Sequence, residues 1–454
     1  MKLRGFQPLD VNAGGLAVVL AAAIGIVMML GSWIGVSVQA NGLDQEVGPY
    51  GPLTLTFSLP VDPDSILDRF YLQPEVSGQF EWADDKTLHF IPEAPLRAGA
   101  SYQLTLTTGA IGVNGEELRK EQSWPVHVRT PKVVYLTTAN GLGQLWTVDT
   151  EGKSAQRLGP ADKQIFDYST APNGDFLILS AVNDANGLDL WYLDRGGNAH
   201  ILLNCGADHC ITPAVSPDSL QVAYTLQTAP VSASVPMGAP RPWILNIQSG
   251  ENHAVYADSQ VIGYGPGWSP DGKYLTSYDG IKNFIQVVQL DSSAQQFTLP
   301  CNTGAQPSWS VDSKSFVVTN MAETPDGFRS QIQMANLETG EVSIWMGAND
   351  VQDYQYSELA WWPKEDHILV GMRADPASPA RILVLMDPEI LSGVTVAGEA
   401  DHVYLFPQWD PWGETLLFAQ LRINGKYDPE IAVWHAGLQN PLVIAKGSNP
   451  QWLP

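Results

Sequence analysis

Positive charge is scarce in this sequence. Lysine and arginine together number 24, against 48 aspartate and glutamate residues, which gives a net charge of −24 over 454 residues. A protein that binds nucleic acid through its phosphates needs lysine and arginine to replace counterions, so this balance argues against that class. We therefore expect no nucleic-acid partner, and the acidic surface favours solubility and cationic partners.

Cysteine is also scarce, and its odd number does not suit a disulfide framework. The three cysteines are Cys205, Cys210 and Cys301. If this part of the chain lies outside the cytoplasm, Cys205 and Cys210 are the candidate disulfide pair and one thiol is left over. Plain buried thiols are the alternative. A zinc site is a weaker alternative, because Cys205-x4-Cys210 with His209 between them is poor ligand spacing.

Familiar catalytic motifs are missing as well. There is no Gly-x-Ser-x-Gly nucleophile elbow, and the eight histidines contain no His-x-x-x-His pair. Residues 267–273 fit Gly-x4-Gly-Lys, but Tyr274 stands where a phosphate-binding loop needs serine or threonine. Residues 184–189 hint at a calcium loop, yet they lack its distal glutamate, so a hairpin turn is preferred. We predict no catalytic residue, no metal ligand and no cofactor.

The longest uncharged stretch lies near the N-terminus. No charged residue occurs from Leu16 to Val38, and 23 helical residues are long enough to cross a hydrocarbon core of about 30 Å. Lys2 and Arg4 precede this stretch and acidic residues follow it, which places the N-terminus in the cytoplasm. We predict a single-pass anchor within residues 1–40, at the cell membrane, with the bulk of the chain extracytoplasmic.

A cleaved signal peptide is the alternative for this stretch. Val38-Gln39-Ala40 would serve as its cleavage site, but the apolar run exceeds the roughly 7–15 residues of a signal peptide. Gly25, Gly31 and Gly35 also place small residues at helical spacing, a pattern that lets one membrane helix pair with another.

Residues 41–131 begin with a polar linker and continue with short alternating strands separated by turns. The predicted strands are Leu53–Phe57, Phe70–Leu72, Thr87–Phe90, Tyr102–Leu106 and Trp124–Val128. Short strands at this density predict a small antiparallel sandwich of about 80 residues.

The same segment resembles the bacterial Ig-like domains of surface-layer and other exported proteins. The resemblance rests on residues 55–62 (LTFSLPVD), on Trp82 ahead of Thr87-Leu88, and on residues 92–102. It implies an Ig-like sandwich, and domains of this family mostly act as spacers.

One turn motif recurs through residues 132–454. In its clearest copy a strand ends at Trp268, a tight turn runs through Pro270, Asp271 and Gly272, and a second strand begins at Tyr274. Weaker copies lie at Pro172, Pro217, Val311, Pro363, Pro411 and Pro454, so that successive turns are 45, 53, 41, 52, 48 and 43 residues apart. A repeat of this length with a turn at a fixed place predicts a β-propeller.

A middle strand with apolar alternation gives a second periodic feature. It occurs seven times, at Leu145–Asp149, Leu190–Asp194, Trp243–Ile247, Ile285–Asp291, Ile332–Leu337, Ile382–Asp387 and Ile431–Trp434. The first repeat lacks an innermost strand, which residues 449–452 can supply, closing the ring and removing free sheet edges. We predict seven blades, with six as the alternative because one divergent copy is open to misreading.

Residues 268–275 (WSPDGKYL) closely resemble the WD40-like (PD40) propeller repeat of the TolB family and of the propellers that precede prolyl-oligopeptidase-type hydrolases. The other copies match it in part, over about 320 residues. The resemblance implies a propeller but says little about function, because the motif residues build the blade. These structural residues are Trp268, Pro270, Asp271, Gly272, Trp309, Trp361, Trp409 and Trp452.

Long connections between the second and third strands of the repeats are expected to share one face. They are Gln227–Arg241, Glu323–Ser330, Ala374–Pro379 and Arg422–Pro429, and the connections that hold the three cysteines lie on the same face. Elaborated loops on a rigid scaffold are common binding sites, although tolerated loop variation is the simpler explanation.

The leading hypothesis is a non-enzymatic, membrane-anchored scaffold that binds a protein or glycan at the cell envelope. A propeller hydrolase or lyase that acts on polysaccharide through channel carboxylates is the second hypothesis. The third is an envelope sensor or assembly factor that acts through its anchor helix. An enzyme should show carboxylates with perturbed pKa values in the channel, whereas a binder should expose aromatic or apolar side chains on the long-loop face.

Overall fold

The computed structural model describes residue 20 and residues 35–454, apart from positions 44, 140, 141, 161, 233, 291–295, 326, 348–353, 374, 376, 424, 426 and 439. Contacts between Cα atoms divide the chain into two compact units, Met1–Arg129 and Thr130–Pro454. Both units are built almost entirely of β-strands, so the prediction of an all-β protein is confirmed.

The N-terminal unit contains seven strands and one short helix among its described residues. They are β1 (Val38–Asn41), β2 (Leu53–Phe57), α1 (Pro63–Leu67), β3 (Phe70–Gln73), β4 (Gly78–Trp82), β5 (Thr87–Pro92), β6 (Ser101–Leu106) and β7 (Gln122–His127). One sheet has the order β1-β2-β5-β4 and the other has the order β3-β6-β7. Their inward-facing residues form a single apolar core, as a sandwich requires.

Alternating burial explains why these segments form a sandwich. Along β2, Leu53, Leu55 and Phe57 are buried while the threonines between them are partly exposed. Phe70 of the second sheet stacks on Phe90 of the first, with ring centroids 4.9 Å apart, so aromatic contacts join the two layers.

The first strand overlaps the stretch for which we predicted a membrane anchor. Val36 and Val38 are buried in the sandwich core, and β1 pairs with β2 from Val38 onward. The sandwich therefore begins before residue 41, where the sequence placed its start. The remainder of the predicted anchor, residues 16–34, lies outside the described residues except for Leu20. Within the described part of the chain, no helix has the length and apolarity needed to cross a membrane.

The C-terminal unit consists of four-stranded antiparallel meanders, which we number as sheets 1 to 7 in chain order. Sheet 1 contains β8 (Lys132–Ala139), β9 (Leu142–Asp149), β10 (Gln156–Leu158) and the last strand of the chain, β35 (Ser448–Leu453). Sheet 2 contains β11 (Ile165–Thr170), β12 (Phe176–Val182), β13 (Leu188–Asp194) and β14 (Ala199–Leu203). Sheet 3 contains β15 (His209–Val215), β16 (Gln221–Gln227), β17 (Arg241–Asn246) and β18 (Asn252–Ala254). One parallel pair, Leu188 with His209, joins sheets 2 and 3.

The remaining four sheets follow the same pattern. Sheet 4 contains β19 (Tyr264–Trp268), β20 (Tyr274–Asp279), β21 (Phe284–Gln289) and β22 (Gln296–Pro300). Sheet 5 contains β23 (Ser308–Trp309), β24 (Ser315–Thr324), β25 (Gly327–Asn336) and β26 (Val342–Met346). Sheet 6 contains β27 (Gln355–Trp361), β28 (Ile368–Arg373), β29 (Ile382–Met386) and β30 (Gly393–Ala397). Sheet 7 contains β31 (His402–Trp409), β32 (Thr415–Arg422), β33 (Glu430–His435) and β34 (Leu442–Lys446).

Each sheet packs its two faces against its two neighbours. Successive residues of a strand point to opposite faces, so Phe316 and Val318 pack toward sheet 4 while Val317 packs toward sheet 6. Apolar clusters of this kind lie between the other neighbouring sheets of the unit as well. One of them joins sheet 7 to sheet 1 through Leu417, Val133 and Trp452. Because β35 pairs with β8, the last strand belongs to the sheet formed by the first strands of the unit.

The expected loop over Glu323–Ser330 is the one long connection that the structure contradicts. Ten residues of β24 pair with ten residues of β25, and the pairing runs out to Thr324 and Gly327. The predicted loop is thus mostly an extension of the two strands, since β24 ends at Thr324 and β25 begins at Gly327.

Candidate functional site

The repeated turns are held by a short serine–aspartate network. In the clearest copy, the Ser269 hydroxyl donates to Asp271 (2.6 Å) and accepts from the backbone N–H of Tyr274 (3.0 Å). Asp271 in turn accepts from the backbone N–H of Lys273 (3.1 Å). Gly272 has a φ of +72°, which its lack of a side chain permits. Ser216 and Ser310 make the same bonds in sheets 3 and 5, so these motif residues are occupied in building turns.

The motif tryptophans hold neighbouring sheets together. Trp268 Nε1 donates to the backbone oxygen of Ala214 in sheet 3 (2.8 Å), and Trp452 Nε1 donates to that of Gln408 in sheet 7 (3.2 Å). Trp309 stacks on Tyr274 and Trp409 stacks on Trp362. Trp361 lines a cavity of about 640 Å³ between sheets 5 and 6 at the motif-turn face, by which we mean the edge that carries the repeated turns.

The opposite edge of the sheets is the long-loop face, which carries the connections between second and third strands and those that lead to the next sheet. Cys205 lies on it in the connection from β14 to β15, and Cys210 is the second residue of β15. The two form a disulfide with Cα atoms 6.4 Å apart. Cys301 is a buried free cysteine between β22 and β23. The disulfide closes the connection beside the Asn183–Gly187 turn, where Asp189 accepts from the Cys205 backbone N–H (2.8 Å).

The innermost strands share an irregularity in their pairing. The pairing of first with second strands shifts register in β11, β15, β19, β27 and β31, and that of β35 with β8 does the same. A bulge leaves residues unpaired and re-aims their side chains. Phe406 and Asn449 adopt positive φ angles at two of these bulges, +56° and +49°.

Asp167 lies next to such a bulge, in β11. Burial raises its pKa to about 6, and hydrogen bonds from the Tyr168 backbone N–H (2.8 Å) and from Asn449 (3.3 Å) offset only part of that effect. The pKa of Tyr264, on the innermost strand of sheet 4, is raised by burial and also by the charge of Asp167. The charge of Asp167 therefore acts on Tyr264 although sheet 3 separates their strands in chain order.

Glu358 is a second carboxylate on an innermost strand. It sits in the bulge of β27, and burial raises its pKa above the ordinary value, against the opposing effects of a backbone hydrogen bond from Phe406 and the charge of Arg381. Two carboxyl groups with raised pKa values on innermost strands are what the hydrolase hypothesis requires.

Aromatic side chains form part of the exposed surface. In the described part of the C-terminal unit they are Phe166, Tyr264, Phe328, Phe406 and Tyr427. The first, second and fourth lie on innermost strands. Phe328 is the second residue of β25, at the hairpin end of β24 and β25, and Tyr427 lies in the connection between β32 and β33. Val231 and Ile281, which are 92% and 79% exposed, add aliphatic surface to the long-loop face. The motif-turn face exposes only aliphatic residues of this size among the described positions, such as Val311 and Ile390.

These site residues were not found from the sequence. Asp167 and Glu358 are single acids in alternating strands, and only the bulges decide which way they point. The sequence did indicate the long-loop face as a binding surface, but it could not show that Phe166, Tyr264 and Phe406 join it from the innermost strands.

The N-terminal unit matches a known family. A family model described as a bacterial Ig-like domain matches residues 37–126, which confirms the Ig-like prediction for this segment. The match begins within one residue of β1, in agreement with the burial of Val36 and Val38. No curated protein matches the sequence of the chain.

Solved structures resemble the chain at the level of fold. A puromycin hydrolase aligns with a TM-score of 0.51 at 14% identity, over 75% of this chain and 53% of its own. The chain thus spans about half the length of that hydrolase. The β-propeller domain of the Trilobed protease from Pyrococcus furiosus aligns at 0.47 and 13% identity, over 63% and 86%. TolB from Acinetobacter baumannii aligns at 0.39 and 14% identity, over 85% and 83%. The sheet order and the likeness in fold to the puromycin hydrolase define the class, which is a β-propeller that follows an Ig-like domain in the chain.

Proposed function

We propose that this protein is a cell-envelope scaffold whose propeller binds a protein partner at the long-loop face. In this proposal, residues 16–34 anchor the chain in the membrane, the Ig-like domain is a spacer, and sheets 1 to 7 are the seven blades of a TolB-like, WD40-like propeller closed by β35. The bulk of the protein then lies outside the cytoplasm, where a disulfide such as Cys205–Cys210 persists.

The distribution of exposed aromatic residues is the observation that carries this proposal. All five lie on innermost strands or on the long-loop face, within the described part of the C-terminal unit. Aromatic side chains supply much of the energy of protein interfaces, and exposed ones are uncommon elsewhere on soluble surfaces. The motif-turn face has apolar surface too, but it lacks this aromatic character.

The charge of the site favours a partner with basic side chains. Asp167 follows Phe166 in β11 and its charge acts on Tyr264, while Glu358 accepts a backbone hydrogen bond from Phe406. The chain as a whole carries a net charge of −24. Basic side chains can pair with these carboxylates and also stack on aromatic faces. A glycan is the competing ligand, since aromatic rings and carboxylates also suit sugars.

A pull-down from detergent-solubilised native membranes tests the proposal. The baits are the full-length protein, a chain starting at residue 35, and full-length proteins carrying F328S/Y427S or V311S/I390S. We expect one protein to be retained by all baits except F328S/Y427S. Retention that survives F328S/Y427S but is lost with V311S/I390S would contradict the assignment of the binding face. Retention by full-length baits alone would shift recognition to the N-terminal segment, and retention of no protein would favour a glycan.

A polysaccharide hydrolase or lyase is the second candidate, and the raised pKa values of Asp167 and Glu358 favour it. A carboxyl group with a pKa of about 6 can donate a proton near neutral pH, as a general acid must. The purified protein should then cleave an acidic or neutral polysaccharide, and D167N and E358Q should abolish cleavage. Cleavage that survives both substitutions, or none across a panel of envelope glycans, would remove this candidate.

A further inference from the structure

A histidine and two carboxylates meet on the long-loop face, between sheets 6 and 7. Glu399 and Asp401 lie in the connection from β30 to β31, and His402 is the first residue of β31. Nδ1 of His402 is 2.8 Å from an oxygen of Asp401 and 3.1 Å from an oxygen of Glu399. The ligand-type atoms of all three side chains lie within 4.8 Å of one another.

His402 is the informative member of this cluster. Its side chain is only 4% exposed, and Nδ1 makes no hydrogen bond to any described group. Both carboxylate oxygens are close to Nδ1 but lie out of line for an N–H donor. A buried ring nitrogen without a partner is costly, so this geometry calls for a group that lies between the nitrogen and the oxygens.

We propose that Glu399, Asp401 and His402 bind a divalent transition-metal cation. Metal–ligand distances of roughly 2.0–2.2 Å place neighbouring ligand atoms about 3 Å apart. The two distances from His402 Nδ1 to the carboxylate oxygens, 2.8 Å and 3.1 Å, are of this size. One imidazole with two carboxylates suits zinc or manganese better than calcium, which prefers oxygen ligands alone. The exposed side of the cluster leaves room for water to complete the coordination, because the Glu399 side chain is 68% exposed.

The backbone around the cluster is fixed from several sides. Tyr404 accepts a hydrogen bond from the Glu399 backbone N–H (2.9 Å), and His402 N–H donates to the Glu399 backbone oxygen (3.2 Å). Backbone N–H groups of Arg381 and Ile423 donate to the backbone oxygens of His402 (2.9 Å) and Asp401 (2.8 Å). Arg422 lies 3.4 Å from the second oxygen of the Asp401 carboxylate, which orients that carboxylate with its first oxygen toward His402. Bonds of this kind hold ligands in place.

The rival interpretation is an ion pair between a protonated His402 and the two carboxylates, with no metal. His367 and Glu365 provide a matched comparison within the same unit, since His367 Nδ1 lies 3.4 Å from a single carboxylate. A pair with one carboxylate should bind a cation far more weakly than the three-ligand cluster does.

Isothermal titration of the tag-free full-length protein in detergent with Zn²⁺, Mn²⁺ and Ca²⁺ tests the proposal. We expect one saturable site for Zn²⁺ or Mn²⁺, weakened more than tenfold by E399Q and by H402Q and unchanged by E365Q. Glu399 is exposed, so E399Q keeps the test valid even if H402Q fails to fold. Bound metal should also raise the melting temperature of the wild type but not of E399Q. No saturable binding, preference for Ca²⁺, or binding unaffected by E399Q would overturn the proposal.

Discussion

The indole Nε1 of Trp268 donates a hydrogen bond to the backbone oxygen of Ala214, across 2.8 Å and 54 residues of sequence. This bond joins the innermost strands of sheets 4 and 3. Trp191 offers a matched contrast, because its indole Nε1 is buried in sheet 2 and has no partner among the described groups.

Replacing Trp268 by phenylalanine should therefore destabilise the protein more than the same change at Trp191. Both substitutions lose similar ring area, but W268F also removes the hydrogen bond to the Ala214 carbonyl, at about 1–2 kcal/mol, whereas W191F removes an unpaired donor. Denaturant unfolding of both variants measures the difference. Equal losses of stability would mean that the Trp268 bond does not help to hold the sheets together.

Closure by the last strand can be tested at a glycine. Gly174 has a φ of +72°, and a Cβ atom there would lie 1.8 Å from the backbone oxygen of Pro454. Gly250 has nearly the same φ, +71°, and a Cβ atom there would meet no other atom within 4 Å. We expect G250A to lower the free energy of unfolding by about 1–2 kcal/mol, from backbone strain alone. G174A should lower it by roughly 1–3 kcal/mol more, because the added Cβ also clashes with the oxygen of Pro454. Similar losses in thermal unfolding would show that residue 454 does not pack on this turn.

The pKa of Asp167 predicts a pH-dependent gain of stability in D167N. The folded-state pKa of about 6 lies above the ordinary value of 3.8, so the stability that Asp167 contributes is present below pH 3.8 and is lost as pH rises through about 6. D167N should thus gain on the order of 3 kcal/mol over the wild type between pH 4 and pH 8.

Asp312 is the control for this experiment. The hydrogen bond from Ser310 is the main cause that lowers the pKa of Asp312, so the stability that Asp312 contributes is present above its ordinary pKa of 3.8 and is lost only at lower pH. The free energy of unfolding of D312N should therefore differ from that of the wild type by the same amount at every pH between about 4.5 and 8. If the free energy of unfolding of D167N also differs from that of the wild type by the same amount at every pH, Asp167 is not buried as described.

The disulfide predicts both a thiol count and a loss of stability. The unfolded chain should react with one equivalent of thiol reagent before reduction and with three after it, because Cys301 alone is free. The free energy of unfolding of C205A/C210A should be about 2 kcal/mol lower than that of the wild type, as expected for a disulfide that closes a short loop. A reductant should lower the free energy of unfolding of the wild type to the same value. Three reactive thiols before reduction would contradict the pairing.

Local sequence predicted much of the propeller because each repeat carries its own turn. Pro270, Asp271 and Gly272 specify a turn whatever surrounds them, and the apolar alternation of the flanking strands marks the buried residues. The packing of Phe316 and Val317 against different neighbouring sheets follows from this alternation. Features that depend on neighbouring strands were harder to predict.

Three features were not predicted from the sequence, each for a physical reason. Val36-Ser37-Val38-Gln39 alternates like a strand, but it continues an uncharged stretch, and a membrane helix and a buried strand look alike at that length. The directions of Asp167 and Glu358 depend on bulges in strand pairing, which a single strand sequence does not reveal. His402 reads as an ordinary strand residue until Glu399 and Asp401 are seen beside it.

Binding at the long-loop face is the central claim. Site-specific photo-crosslinking in intact cells tests it most directly, with a benzophenone amino acid placed at Phe328 or Tyr427 and, as controls, at Val311 or Ile390. All four side chains are exposed, so the substitutions should leave the fold intact. We expect one discrete adduct from Phe328 and Tyr427 and none from the two controls. Adducts from Val311 and Ile390 alone would contradict the claim.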